Sequence, residues 1–358
     1  MIKIYFVVSE PSERTINHFV SSLGNALQKK GCEVVYGRER LWTDDVFDCD
    51  IIHFQWPEYV FGSQNQKLSN EILERLEQRL KLLKNKGIKI FQQVHNLKPH
   101  TNDDKKMQQL YELFYQYADV IVHMGSFSRD ILQPKYPKAK HIVLPHHIYD
   151  DIYTFSESQK DARKKLKLTE NQKVVLSFGK FRNQQERNFV LNLQKKLGKS
   201  VTFLMPGFYR NSLRTLNPKK FCTSLFNTLR YKLMGIKFSN EIIPDDLMQS
   251  YFSAANVVLI QRLNILNSGN LPMAFAAGKT VIGPDIGNVG QILHETGNYV
   301  FDPQNQDSAI EAIQRALNDT VKGSENKNYA IEHWSSNVIV AKLLKCYQQT
   351  KGKDNEIN

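Results

Sequence analysis

The segment NILNSGNLPMAFAAG, Asn264 to Gly278, lies between two apolar runs, Val257 to Ile260 and Thr280 to Ile282, and holds residues suited to grip an anion. Ser268, Gly269 and Asn270 fall where the loop turns into a helix, and the first backbone N–H groups of a helix have no partner within it. Such donors, at the positive end of the helix dipole, can hold a diphosphate without a charged side chain. Glycine at 269 lets the backbone approach closely. An ordinary serine cap ahead of a core helix accounts for the same letters. A second candidate is His95, at the end of the run Ile88 to Val94. An imidazole there can hydrogen-bond a ligand or accept a proton near neutral pH, and a histidine satisfied inside the fold is the alternative. His100, His146 and His147 supply further imidazoles, the last two close to the run His141 to Leu144.

The elements that must position these residues alternate regularly. Apolar, β-branched runs at Ile2 to Val8, Cys32 to Tyr36, Ile51 to Phe54, Ile88 to Val94, Val120 to His123 and His141 to Leu144 are separated by segments of helical spacing, such as Phe19, Leu23, Ala26 and Leu27. Gly31 stops the first of those helices, as a glycine at a helix C-terminus does. After a polar, basic stretch, Asp150 to Asn171, that reads as an interdomain linker, the alternation begins again. Strands are expected at Val174 to Phe178, Val201 to Met205, Ile236 to Phe238, Val257 to Ile260, Thr280 to Ile282 and Tyr299 to Phe301. Strands alternating with helices imply parallel sheets covered on both faces. The expected architecture is α/β: two doubly wound, Rossmann-like domains over residues 1–155 and 172–335. A C-terminal helix and tail, 336–358, is placed to cross back to the N-terminal domain. Ligands of such sheets bind at the carboxyl ends of the strands.

The chain of 358 residues, with 41% hydrophobic and 23% charged residues, has an ordinary globular composition and exceeds what one core usually supports. MIKIYFVVSEPSERT reaches charged residues too soon for a signal peptide, and no apolar stretch approaches a membrane span, so the chain reads as cytoplasmic. Cys32, Cys49, Cys222 and Cys346 lack the paired spacing of a zinc site or a disulfide framework. There is no internal repeat, Walker loop or Gly-x-Gly-x-x-Gly after the first strand, which argues against a kinase, an ATPase or an NAD enzyme.

The ordered segments resemble glycosyltransferase family 4 and its GT-B relatives over nearly the whole chain. QQVHNLKPH supplies His95, Asn96, Pro99 and His100 in place of a His-Asn-x-x-Pro-His stretch. LSFGKFRN supplies a strand ending in Gly179 with Arg182 following. IIPDDLMQSYFSAANVVLI gives the acidic helix start, and AAGKTVIGPDIGN the Gly-Lys-x-Val ending. The resemblance implies a glycosyltransferase that moves a sugar, a hexose in most such enzymes, from a UDP- or GDP-sugar to a hydroxyl acceptor. It further implies retention of anomeric configuration and a place in bacterial polysaccharide or glycoconjugate synthesis. It assigns catalysis to His95 and Arg182, the donor to Gly179, Lys180, Asn264, Asn267, Ser268, Gly269 and Asn270, and the acceptor or cleft to Asn96, His100 and His146. The asparagines would read sugar hydroxyls, although loop asparagines more often form turns.

The chain departs from that pattern in three places. A lysine commonly follows the arginine by a few residues, whereas this chain reads Arg182, Asn183, Gln184, Gln185; Lys180 is the weaker substitute. Ile265 and Met273 stand where two glutamates commonly do. Charge develops on a leaving diphosphate, so a cation or aimed N–H donors are needed there, and the guanidinium of Arg182 suits bidentate contact with phosphate. No Asp-x-Asp motif stands in a suitable loop, so no metal and no other cofactor is implied; the nucleotide-sugar is a substrate. The departures leave room for an inverting relative, for a GT-B-shaped scaffold that has lost catalysis, and for a nucleotide-sugar epimerase.

The net charge of +12 implies an anionic partner. Nucleic acid fits the charge but finds no motif. The stretch Phe208 to Lys237 mixes Arg210, Arg214, Lys219, Lys220, Arg230 and Lys232 with Phe221, Leu225, Phe226, Leu229 and Leu233. It reads either as a basic amphipathic segment for an anionic membrane surface, on the inner face of which a lipid-linked acceptor would be presented, or as a helix packed on the core with solvated lysines.

Overall fold

A computed structural model describes residues 1–11, 18–61, 67–98, 105–208, 217–239 and 243–352. Two compact units form, one from the described residues of Met1–Ile152 and His333–Asn358, the other from those of Tyr153–Glu332. Each contains one six-stranded sheet in which every pairing is parallel.

The first sheet is built from β1 (Lys3–Phe6), β2 (Glu33–Tyr36), β3 (Ile51–Phe54), β4 (Lys89–Val94), β5 (Val120–His123) and β6 (Lys140–Val143), in the order β2-β1-β3-β4-β5-β6. β3 and β5 are buried at every residue, as strands of a parallel sheet covered by helices must be. The helix Asn70–Asn85 shows why the intervening segments are helical: Leu73, Leu76, Leu80 and Leu83 line one buried stripe, and Ser69 caps it by accepting from the N–H of Ile72 at 3.3 Å. Gly31, with φ +83°, ends the helix Phe19–Lys29 in the left-handed conformation that glycine tolerates. The helix Ser336–Gly352 belongs to this unit, burying Ile339, Val340, Leu343 and Tyr347, and the carboxylate of Asp150 accepts from the N–H of Ser336 at 3.1 Å.

The second sheet is built from β7 (Lys173–Leu176), β8 (Val201–Pro206), β9 (Ile236–Ser239), β10 (Val257–Leu259), β11 (Thr280–Pro284) and β12 (Tyr299–Phe301), in the order β12-β11-β10-β7-β8-β9. Its core joins Val175, Phe203, Leu259 and Ile282 from the strands to Phe189, Val190 and Leu193 from the helix Gln184–Leu197 and Ala312 and Ile313 from the helix Gln306–Asn318. All twelve strands fall where the apolar runs place them, to within two residues at the ends.

The stretch between residues 150 and 171, expected to be a linker, contains the helix Gln159–Lys165 within the second unit. Polar contacts tie it there. The buried guanidinium of Arg163 donates to the carbonyl of Ala254 at 3.1 Å and to Oδ1 of Asn256 at 2.8 Å. Nε2 of Gln159 donates to the carbonyl of Ala255 at 2.8 Å and Nζ of Lys165 to Oγ of Ser250 at 3.1 Å, and an element held largely by polar contacts leaves little apolar periodicity to detect. Among the described residues no helix is long and apolar enough to cross a membrane.

Candidate functional site

In the second unit the chain leaves β7 outward through β8 and β9, then returns to place β10 on the other flank of β7. The carboxyl ends of β7 and β10 therefore straddle the point where the connections diverge, the position at which open α/β sheets bind ligands. Gly179, Lys180 and Arg182 follow β7, and Gln261 and Arg262 follow β10.

Glu186 organises these residues. It lies in the first turn of the helix Gln184–Leu197 and is almost wholly buried. Its own N–H donates to Oδ1 of Asn183, the cap, at 2.9 Å. Its Oε2 accepts from the N–H of Arg182 at 2.7 Å and from Nη1 of Arg262 at 2.5 Å. Nη2 of Arg262 donates to the carbonyl of Lys180 at 2.7 Å. The carboxylate thus pairs with the Arg262 guanidinium and holds the Arg182 backbone, and the Arg182 side chain adds a positive charge at the strand ends. The Arg182 side chain is exposed, yet the protein around its guanidinium, and then the Arg262 cation, disfavour its charged form while Glu186 supports it. An arginine keeps its charge through such shifts. Arg187, five residues after Arg182, is engaged differently: it donates to the carbonyl of Phe208 and lies over the rings of Phe181 and Phe208, at 5.9 and 5.5 Å.

The loop before the helix Asn270–Ala276 is fixed from two sides. Nδ2 of Asn270 donates to the carbonyl of Phe178 at 2.9 Å, and Nδ2 of Asn288 donates to Oδ1 of Asn267 at 2.8 Å. A side chain at Gly287 would stand 2.5 Å from the carbonyl oxygen of Ile265, so glycine is required for the helix Gly287–Glu295 to approach this loop. Asn267 and Asn270 therefore hold backbone and side-chain neighbours, as turn-forming asparagines do. Asn264 and Gly269 are exposed, and Ser268 makes no side-chain cap; Gly269 occupies that position. The helix has only seven residues, so the two guanidinium groups outweigh its dipole as partners for an anion. Gly179 adopts φ +97°, which turns the chain out of β7 toward Arg182. Ile265 and Met273 are buried and apolar.

The corresponding divergence in the first unit lies between β1 and β3. Beside it, the ends of β3 and β4 bring Gln55, Trp56, His95 and Asn96 together. The His95 ring stacks on Trp56 at 4.0 Å and meets Phe19 edge-on at 5.0 Å. Its Nε2 is 2.9 Å from Oε1 of Gln55, which assigns the ring proton to Nε2. Burial first, then His146 and His53, hold its pKa well below the usual imidazole value, so His95 is neutral at pH 7. His146 reaches the carbonyl of His147 through Nδ1 at 2.8 Å and the hydroxyl of Tyr149 through Nε2 at 3.1 Å, and burial lowers its pKa to about 4. His147 is buried among Phe19, His146 and Tyr149, with neither ring nitrogen partnered among the described residues. The carbonyl of Asn96 accepts from the hydroxyl of Tyr115 at 3.4 Å. His100 and Pro99 lie outside the described residues. Among the described residues no cluster of His, Cys, Asp or Glu is arranged to hold a metal ion.

Sequence reasoning passed over Glu186, Arg262, Gln55 and Trp56. Asn183-x-x-Glu186 is a cap signature and was the available signal for the first. Nothing local marks Arg262, whose partner is seventy-six positions away.

No family model matches the chain, and no curated protein matches it. Solved structures do. Sucrose-phosphate synthase from Thermosynechococcus elongatus superposes with a TM-score of 0.68 at 14% identity, covering 98% of this chain and 99% of that one. Anabaena HepE in complex with UDP gives 0.69 at 12% identity over 98% and 100%. A glycosyltransferase from Rickettsia africae gives 0.68 at 13% over 98% of both chains. The likeness extends across both units and shows that the chain has the GT-B fold.

Proposed function

We propose that this protein is a glycosyltransferase that takes a sugar from a nucleoside-diphosphate sugar and passes it to a hydroxyl acceptor. The observation that carries the reading is buried Glu186 holding the Arg262 guanidinium and the Arg182 backbone at the topological switch point of the second sheet, with the Arg182 side chain exposed beside them. Cleavage of the sugar–phosphate bond leaves negative charge on the diphosphate, and a guanidinium carried on a backbone fixed beforehand is placed to stabilise that charge. Glu186 fixes Arg262 and the Arg182 backbone and leaves the Arg182 side chain exposed to meet the ligand. Gly179, Lys180 and the loop Asn264 to Asn270 frame the donor, and Ser268 and Gly269 offer backbone donors. His95, neutral and at the end of a strand, is suited to bind a sugar hydroxyl; Asn96 and His146 support that position. The solved relatives that bind UDP, or ADP in the Arabidopsis starch synthase IV structure, favour a nucleotide donor. Retention of configuration, and an acceptor belonging to bacterial polysaccharide or glycoconjugate assembly, complete the proposal.

The test is a thermal-shift titration with UDP, GDP, ADP and CMP on the native protein and on Arg182→Ala. One nucleotide is expected to stabilise the native protein, by about 2.7 kcal/mol at a hundredfold excess over its dissociation constant. Arg182→Ala retains the backbone N–H that Glu186 accepts, so its ligand-free melting should be unchanged while the nucleotide shift is lost. A native protein unmoved by every nucleotide would overturn the reading in favour of a GT-B-shaped scaffold, which the apolar residues Ile265 and Met273 would then explain.

A further inference from the structure

The helix Pro218–Leu233 packs the wrong way round for an ordinary surface helix. Phe221, Leu225 and Leu229 form one row at every fourth position, and Cys222, Phe226 and Leu233 form the adjoining row. The large residues of both rows face solvent: Phe221 is 39% exposed, Leu225 42%, Phe226 66%, Leu229 54% and Leu233 75%. The opposite side does the packing, through half-buried Asn227, Thr228, Tyr231 and Met234. Tyr231 meets the rings of Phe208 and Phe238 at 5.2 and 6.0 Å. The core-packed alternative for these leucines and phenylalanines is thereby excluded.

From this arrangement we infer that the helix is an interfacial anchor that lies in the plane of an anionic bilayer. Exposed Lys219, Arg230 and Lys232 adjoin the apolar rows, and the helix contains four basic residues and no acidic one. An apolar face bordered by lysine and arginine matches the boundary between acyl chains and anionic headgroups. Protein–protein interfaces, in contrast, are depleted of lysine. At sixteen residues the helix is about 24 Å long and too polar to span, so it rests on the surface with Phe226 and Leu233 entering first. The net charge of +12 draws the whole chain toward the same surface. This inference goes beyond the proposed transfer reaction and does not depend on it.

Cys222, the exposed cysteine within the apolar face, supplies a probe. The full-length protein carrying an environment-sensitive fluorophore at Cys222 is mixed with vesicles of equimolar phosphatidylglycerol and phosphatidylcholine, or of phosphatidylcholine alone. Emission should rise and shift to the blue with the anionic vesicles only, and the unlabelled protein should co-sediment with them less as salt increases. Phe226→Ser with Leu229→Ser should lower vesicle partitioning about tenfold or more, with unchanged melting because neither side chain is in the core. Arg230→Glu with Lys232→Glu should abolish the preference for anionic lipid. Absence of co-sedimentation by the native protein, equal partitioning by the serine variant, or a dimer in lipid-free solution that the serine variant dissociates would each overturn the anchor. The readout is lipid binding, so a failed nucleotide titration leaves it standing.

Discussion

The strand ends of the two units solve opposite electrostatic problems. In the first, His53, His123 and His147 are buried and His95 and His146 half-buried, and all five are held neutral, His123 against His141 and the others among Phe19, Trp56, Phe91, Tyr149 and Tyr347. In the second, Glu186 is buried as a charge and balanced by Arg262, with Arg182 beside them. Burial discourages an ion that has no partner and tolerates one that has. In the proposed reaction the first unit would therefore offer neutral hydrogen-bonding groups to hydroxyls, and the second the positive charge of Arg182 to phosphates.

Acid should break this comparison most strongly. Burial lowers the pKa values of His53 and His123 to about 3 and of His146 to about 4, whereas unfolded histidines take up protons near pH 6.5. The first unit is accordingly at full stability above about pH 6.5 and loses it as the pH falls toward 4, by about 1.4 kcal/mol per pH unit for each such histidine. The second unit contains only His294, which is exposed and 2.8 Å from Asp285. Trp42, Trp56 and Trp334 all belong to the first unit, so urea unfolding followed by tryptophan fluorescence reports it alone. A midpoint independent of pH between 7 and 4.5 would contradict the neutral burial of these rings.

Glu186→Ala should be the next largest effect, confined to the second unit. It leaves the Arg262 guanidinium, 15% exposed, without its carboxylate and strips the Arg182 N–H of its acceptor. The expected loss is about 3 kcal/mol, read by circular dichroism in urea, together with loss of nucleotide protection. Glu186→Gln, which preserves shape and hydrogen bonding, should recover part of the stability.

The smallest effect is expected from Tyr347→Phe in the first unit. It removes the hydroxyl 2.6 Å from Nδ1 of His53, whose Nε2 already has no partner among the described residues. Stability should fall by about 1 to 2 kcal/mol on the tryptophan signal, with the nucleotide response of the second unit unaltered. A change in nucleotide affinity would show that the two strand-end regions are not independent.

Much of this organisation was legible in the letters. Apolar runs of three to seven residues, punctuated by helical spacing, gave both parallel sheets, because the central strands are buried on both faces and each helix buries one stripe. Glycines 31 and 179 marked where the chain turns. The helix Gln159–Lys165 was not legible, since polar contacts of Gln159, Arg163 and Lys165 hold it in place of an apolar stripe. Nor was the orientation of the helix Pro218–Leu233: its sequence is amphipathic either way up, and only packing shows that Tyr231, rather than Leu229, faces the core.

The site divides along the same line. The sequence by itself determined the two-sheet frame and set His95, Gly179 and Arg182 at strand ends, because strand periodicity and glycine conformation are local properties. Tertiary structure alone decided that Arg262 shares a carboxylate with the Arg182 backbone, that Asn267 and Asn270 are occupied with Asn288 and Phe178, and that Gln55 fixes the His95 tautomer. Those are contacts between residues far apart in the chain. Whether a buried polar group is charged, neutral or available depends on which partner the fold brings to it, and no local pattern records that.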